Sequence, residues 1–125
     1  MSLFNSGDFR LHSGDHSNFL IDCSALTIKD WRALAALVAS HIKFRKVVGI
    51  PQGGLALAYA LERYQSDEGP TLIVDDVLTT GASMEATREK VGEPVIGIVV
   101  FARGKCPGWV RPIFRLEEWC AKGEE

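Results

Sequence analysis

Asp75 and Asp76 stand between an apolar run, Leu72-Ile73-Val74, and a hydroxyl-rich turn, Thr79-Thr80-Gly81-Ala82-Ser83. Adjacent carboxylates repel anions. Hydroxyls and consecutive backbone N–H groups at the start of a helix attract them, through unpaired amides and the positive end of the helix dipole. A helix cap needs only one Ser or Thr, so three hydroxyl residues around a glycine exceed what capping requires. One ligand reconciles the two halves: a sugar 5′-phosphate on the turn, whose ribose diol donates to the acids, with Mg²⁺ nearby to ease the charge. Rival motifs are absent on inspection. The chain has no Gly-Lys-Ser/Thr of a Walker loop, Gly49 to Gly54 lacks the G-x-G-x-x-G spacing, and no aspartate follows Asp76 to act as a receiver-type phosphoacceptor.

These residues need a scaffold that presents them together. Thr27 and Asp30 have the spacing of a capping box, and Ile28, Trp31, Leu34, Leu37, Val38 and Ile42 recur at helical intervals, predicting a helix of about four turns. Val47 to Ile50 reads as a short strand ending in Pro51-Gln52-Gly53-Gly54, after which Leu55 to Tyr64 returns to helix formers. Leu72 to Val74 begins the same succession again: strand, acid pair, turn, then a helix from about Ser83 to Val91 stopped by Gly92 and Pro94. Val95 to Ala102 predicts a third strand and Ile113 to Leu116 a short fourth.

Apolar strands alternating with amphipathic helices imply an α/β fold of three layers, a mainly parallel sheet flanked by helices with right-handed crossovers. Loops leaving the carboxyl ends of such strands share one edge, where ligands bind. Pro51 to Gly54, Asp75 to Ser83 and Arg103 to Lys105 are therefore expected to converge there.

Composition narrows the classes. A chain of 125 residues, 46% hydrophobic and 24% charged, is expected to form one globular domain over residues 1–125. A formal charge of −2 gives no electrostatic reason to bind nucleic acid or an anionic membrane, and no apolar run approaches the ~20 residues of a membrane span. Cys23, Cys106 and Cys120 lack paired zinc or thioredoxin spacing, and with no signal-like amino terminus they point to reduced thiols in a cytoplasmic protein. Trp31, Trp109 and Trp119 are expected in core or interface positions.

The stretch Thr71 to Ser83, "TLIVDDVLTTGAS", resembles the 5-phosphoribosyl-1-pyrophosphate (PRPP) signature of type I phosphoribosyltransferases. "VVGIPQGGLALAYAL" is similar to that family's pyrophosphate loop and the helix after it. "GDFRLHSGDHSNFLID", residues 7 to 22, resembles the amino-terminal hood of orotate phosphoribosyltransferases, and "VIGIVVFARGK" their strand ending in a base-contacting arginine. The resemblance implies a hood over about 4–26 and an α/β core over about 27–120. It implies the 5′-phosphate at Thr79, Thr80, Gly81, Ala82 and Ser83, the ribose hydroxyls at Asp75 and Asp76 as the catalytic pair, and pyrophosphate at Pro51, Gln52, Gly53 and Gly54. Arg103, His12 and Leu20 would face the base. It implies Mg²⁺ held mainly by PRPP with no direct protein ligand, a cis peptide at Pro51-Gln52, and a homodimer.

Two departures stand out. His12 occupies a position where the family usually has lysine. Orotate enzymes also insert a strand pair and a mobile cationic loop before the signature strand, where this chain has only Gln65-Ser66-Asp67-Glu68-Gly69-Pro70. A sheet of reduced strand number is therefore expected. The functional expectation is PRPP-dependent transfer to a pyrimidine base of the orotate type, yielding a nucleoside 5′-monophosphate. The alternatives are a non-catalytic PRPP or nucleotide sensor that has lost the loop, and a partner subunit that supplies the missing cations.

Overall fold

The computed structural model describes residues 3–10 and 16–116. Strand β1 (Phe4–Arg10) pairs antiparallel with β2 (His16–Ile21) in a hairpin whose register shifts between Ser6 and Phe9. A 3-10 turn over Cys23–Ala25 leads to helix α1 (Ile28–His41). Thr27 and Asp30 cap α1 reciprocally: Asp30 N–H donates to Thr27 Oγ1 at 3.2 Å, and Thr27 N–H donates to Asp30 Oδ2 at 2.8 Å. The expected capping box is therefore real. The chain continues through β3 (Lys46–Gly49), α2 (Leu55–Leu61, extended by a 3-10 turn to Tyr64), β4 (Thr71–Leu78), α3 (Ala82–Val91), β5 (Val95–Arg103) and β6 (Val110–Leu116).

Strands β3-β4-β5-β6 form one parallel four-stranded sheet in sequence order. Its two faces bury separate cores. On one, Ala35 and Val38 of α1, Phe44, and Leu57 and Leu61 of α2 pack with Leu72, Val74, Ile98 and Val100. On the other, Met84 of α3 packs with Ile73, Val95, Val99 and Val110, joined by Cys106 and Trp109. The expected layers are present, and the sheet is small.

Three details differ from the sequence expectation. Ile28 and Leu37 of the predicted helical stripe are 70% and 44% exposed, whereas Val38 of the same stripe is buried, Trp31, Leu34 and Ile42 pack against the core, and Ala35, outside the stripe, is fully inward. The crossovers are not uniformly right-handed. β3, β4 and β5 are adjacent and parallel in that order, yet α2 and α3 lie on opposite faces, so β3-α2-β4 and β4-α3-β5 have opposite hands. The cause is local: α2 packs on α1, and residues 65–70 return at once around the start of β3. Ser66 N–H donates to Phe44 O at 2.9 Å, Arg45 N–H to Pro70 O at 3.0 Å, and Val47 N–H to Gln65 Oε1 at 3.2 Å.

The third detail is the crossover from β5 to β6. Residues 104–109 make it without a helix, shorter than the dozen or more residues such a connection usually takes. Trp109 holds this strap in place. Its carbonyl accepts from Gly97 N–H at 2.8 Å, its indole N–H donates to Glu85 Oε2 at 2.8 Å, and the Arg88 guanidinium lies 4.9 Å from the ring centroid. Trp109→Phe, which keeps an aromatic ring but removes the charge-assisted bond, should lower stability by about 1–2 kcal/mol. Urea unfolding should show this as a shifted midpoint with unchanged slope.

Candidate functional site

The carboxyl ends of β3, β4 and β5 share one edge of the sheet, as parallel order requires. The loop leaving β3 is tied to β4 by Ile50 N–H donating to Val74 O at 2.9 Å, and it closes on itself through Gly54 N–H to Ile50 O at 2.8 Å. The Pro51-Gln52 peptide is cis, as the resemblance implied. Gly54 precedes α2, and a Cβ there would overlap Val74 O and lie 2.8 Å from Ile50 N, so no larger residue fits. Pro51, Gln52 and Gly53 are exposed on the same edge.

The acid pair sits at the next strand. Both residues are half-buried, and each carboxylate is held by backbone: Asp76 N–H donates to Asp75 Oδ1 at 2.8 Å, and Val77 N–H to Asp76 Oδ1 at 2.7 Å. The two-residue alternation of β4 slips here. Leu72 and Val74 face α1 and α2, whereas Leu78, which would share their face in an unbroken strand, packs in the α3-side core. Burial, then a hydrogen bond to the Asp76 side chain and its charge, push the Asp75 carboxyl up to about 7, against the lowering effect of its bond from Asp76 N–H. Cys23 is drawn into the same group. Its thiol is pushed up to about 12, first by burial and then by the carboxylates of Asp76, Asp22 and Asp75. Sequence reasoning saw only a reduced cysteine, since nothing in its spacing connects residue 23 with 75 and 76.

The turn after β4 bends through exposed Thr79 and Thr80 to Gly81, which takes φ 84° as the residue preceding α3. That left-handed conformation suits glycine. No side chain caps α3. Thr80 Oγ1 reaches only Ala82 N–H, at 3.3 Å, and Glu85 N–H donates to Gly81 O at 3.0 Å. Thr79, Thr80, Gly81, Ala82 and Ser83 line a cavity of about 50 Å³ together with Asp75, Val77, Leu78 and Met84. The turn and Asp75 thus open onto one space.

Arg103 ends β5, half-buried, on the same edge. The hairpin is rooted nearby: Asp22 N–H donates to Leu3 O at 2.6 Å, and Phe4 packs edge-on against Phe101 of β5 with centroids 5.7 Å apart. Leu20 lies in β2, paired with Asn5, and His12 falls outside the described residues. Among the described residues no group of three or more His, Cys, Asp or Glu could hold a metal ion, and no helix is long and apolar enough to cross a membrane. The connector 65–70 lies at the far end of the sheet, around the start of β3.

No protein-family model and no curated protein sequence matches the chain. Solved structures do. The Aeropyrum pernix orotate phosphoribosyltransferase superposes with a TM-score of 0.67 at 22% identity, over 90% of this chain and 88% of that one. Leishmania donovani UMP synthase gives 0.70 at 21% identity, over 91% of this chain and 34% of that one. The fold is that of a type I phosphoribosyltransferase. The Giardia lamblia APRTase complexed with 9-deazaadenine superposes less well, with a TM-score of 0.50 at 19% identity over 71% of this chain and 79% of that one. In this phosphoribosyltransferase fold the sheet is reduced to four strands.

Two outcomes follow from the acid group. Folding raises Asp75 from an ordinary 3.8 to about 7, so its contribution to stability is complete below the lower value and is lost as pH climbs through the upper one. The thermal midpoint of the ligand-free protein, taken relative to Asp75→Asn at each pH, should fall across that window. In the native protein, buried Cys23 should resist N-ethylmaleimide while half-exposed Cys106 reacts, and denaturation should abolish the difference, as peptide mapping by mass would show.

Proposed function

We propose that this chain binds PRPP and transfers its phosphoribosyl group to a pyrimidine base of the orotate type, forming a nucleoside 5′-monophosphate and pyrophosphate. The observation that carries the reading is the turn before α3. Of the three hydroxyl residues around Gly81 only Thr80 is spent on the helix, accepting from Ala82 N–H at 3.3 Å, so the other hydroxyls lining the small cavity are not explained by capping. The closer match to orotate-type structures than to the purine-type one supports a pyrimidine base.

In this reading Thr79 to Ser83 hold the 5′-phosphate by amides and hydroxyls. Asp75 and Asp76 accept from the ribose 2′ and 3′ hydroxyls, and those donors favour the ionised form of Asp75. Backbone groups of Pro51 to Gly54 receive the pyrophosphate, and Arg103 faces the anionic edge of the base, with His12 and Leu20 on the hood side. With both ends of the ribose fixed, the base nitrogen forms its bond to the anomeric carbon as the carbon–oxygen bond to pyrophosphate breaks, and the bonding electrons leave with pyrophosphate. Mg²⁺ would be held mainly by the phosphates of PRPP beside the acid pair, where it would supply charge neutralisation on the leaving group. The same reading takes the chain as a single domain, cytoplasmic and homodimeric.

A second reading has its own observation. The connector 65–70 carries no cation and wraps the start of β3, away from the loops. Without a cationic lid the leaving group lacks donors and water is not excluded, which favours a PRPP or nucleotide sensor, or a partner subunit that completes the site. Calorimetry with Mg²⁺ and PRPP should detect binding. Asp76→Asn and Gly81→Val should each weaken it by roughly tenfold or more, the cost of one charge-assisted hydrogen bond or of a blocked cradle. Isotope-labelled PRPP with orotate, uracil and cytosine then separates the readings: pyrophosphate release marks the enzyme, and binding without release marks the sensor.

A further inference from the structure

In the ligand-free chain the loop after β3 and the acid pair of β4 touch. A methyl group built on Gly53 would stand 2.5 Å from both Cγ and Oδ1 of Asp76, and closer still to Oδ2. Those three carboxylate atoms are its nearest neighbours, and Gly53 is not among the glycines with positive φ. Gly53 needs no left-handed backbone, so what a side chain there would meet first is the Asp76 carboxylate in its present place. Nor is that carboxylate free to swing away without loss. Its Oδ1 accepts from Val77 N–H at 2.7 Å, and it neighbours both the Asp75 carboxyl and the Cys23 thiol.

We propose that Gly53 is a positioning residue for the acid pair: by lacking a side chain it lets the Asp76 carboxylate lie against the pyrophosphate-loop backbone, so that the two loops act as one unit. The inference rests on the PRPP-site reading for its consequence but not for its geometry. Position 53 then governs how the carboxylates meet a ribose, although the loop itself is assigned to the other end of the ligand. An anion arriving at the loop also meets Asp76 directly.

The test pairs a ligand-free readout with a binding cycle. Carbon-13 carboxyl titration by NMR should show the Asp75 curve displaced in Gly53→Ala. Ribose 5-phosphate, which has no pyrophosphate to engage the loop, should bind Gly53→Ala about tenfold more weakly than wild type. In an Asp76→Ala background, where the space is vacated, adding Gly53→Ala should cost nothing further. Unchanged carboxyl titrations in Gly53→Ala, or equal losses in both backgrounds, would overturn the coupling. The Gly53→Ala/Asp76→Ala double variant removes the clash, so a native-like unfolding midpoint there separates a displaced carboxylate from a misfolded loop. If wild type fails to bind ribose 5-phosphate, the PRPP reading falls, and the carboxyl titrations still decide the contact.

Discussion

Two carboxyl groups on consecutive residues, half-buried where β4 leaves the sheet, are hard to accommodate. Burial disfavours both charges and each disfavours the other. The chain answers with a proton and with backbone. Asp75 holds its proton to about neutrality, and amides of Asp76 and Val77 each donate to the preceding carboxylate. Using side chains as acceptors for consecutive amides breaks the regular ladder, and the face alternation of β4 slips at the same place. The neighbours then conform: Gly53 gives up its side chain, and Cys23 stays a neutral thiol. Such an arrangement is costly for a bare strand end, and hydroxyl donors from a ligand would offset that cost.

The rest of the fold serves that edge with little material. Four parallel strands bring three loops together, and the antiparallel hairpin is fastened at its base through Phe4 on Phe101, which stacks in turn on Phe114 at 5.4 Å. Economy appears in the connections. A strap spans β5 to β6 without a helix, and the return from α2 is so direct that one crossover takes the opposite hand from the next.

Much of this was legible from local signals. The capping box at Thr27 and Asp30, the strand and turn around Asp75 to Ser83, and the glycine loop at Gly53-Gly54 are short-range patterns whose physics is contained within a few residues. What escaped depends on contacts between distant positions. The reach of Cys23 to Asp76 and the seat of that carboxylate on Gly53 are set by topology. Helical periodicity marked Val38 together with Ile28 and Leu37 as apolar-face candidates, but the exposure of the last two and the choice of Ala35 as an inward residue belong to the packing of α2 on α1. The hand of a crossover is likewise decided by which face a helix finds. Trp109 could be assigned to the strap only once Glu85 and Arg88 of α3 were seen beside it.

A four-stranded sheet has two rims, and both are blunted. β3 offers only Lys46 to Gly49, with the amide of Val47 already occupied by Gln65. β6 carries a proline at residue 112 and exposed arginines at 111 and 115. Short length, a plugged donor, an imino acid and like charges are the features by which natural sheets discourage another chain from joining edge to edge. A domain this sparing with strands can therefore stay dispersed without recruiting a neighbour's backbone to finish its sheet.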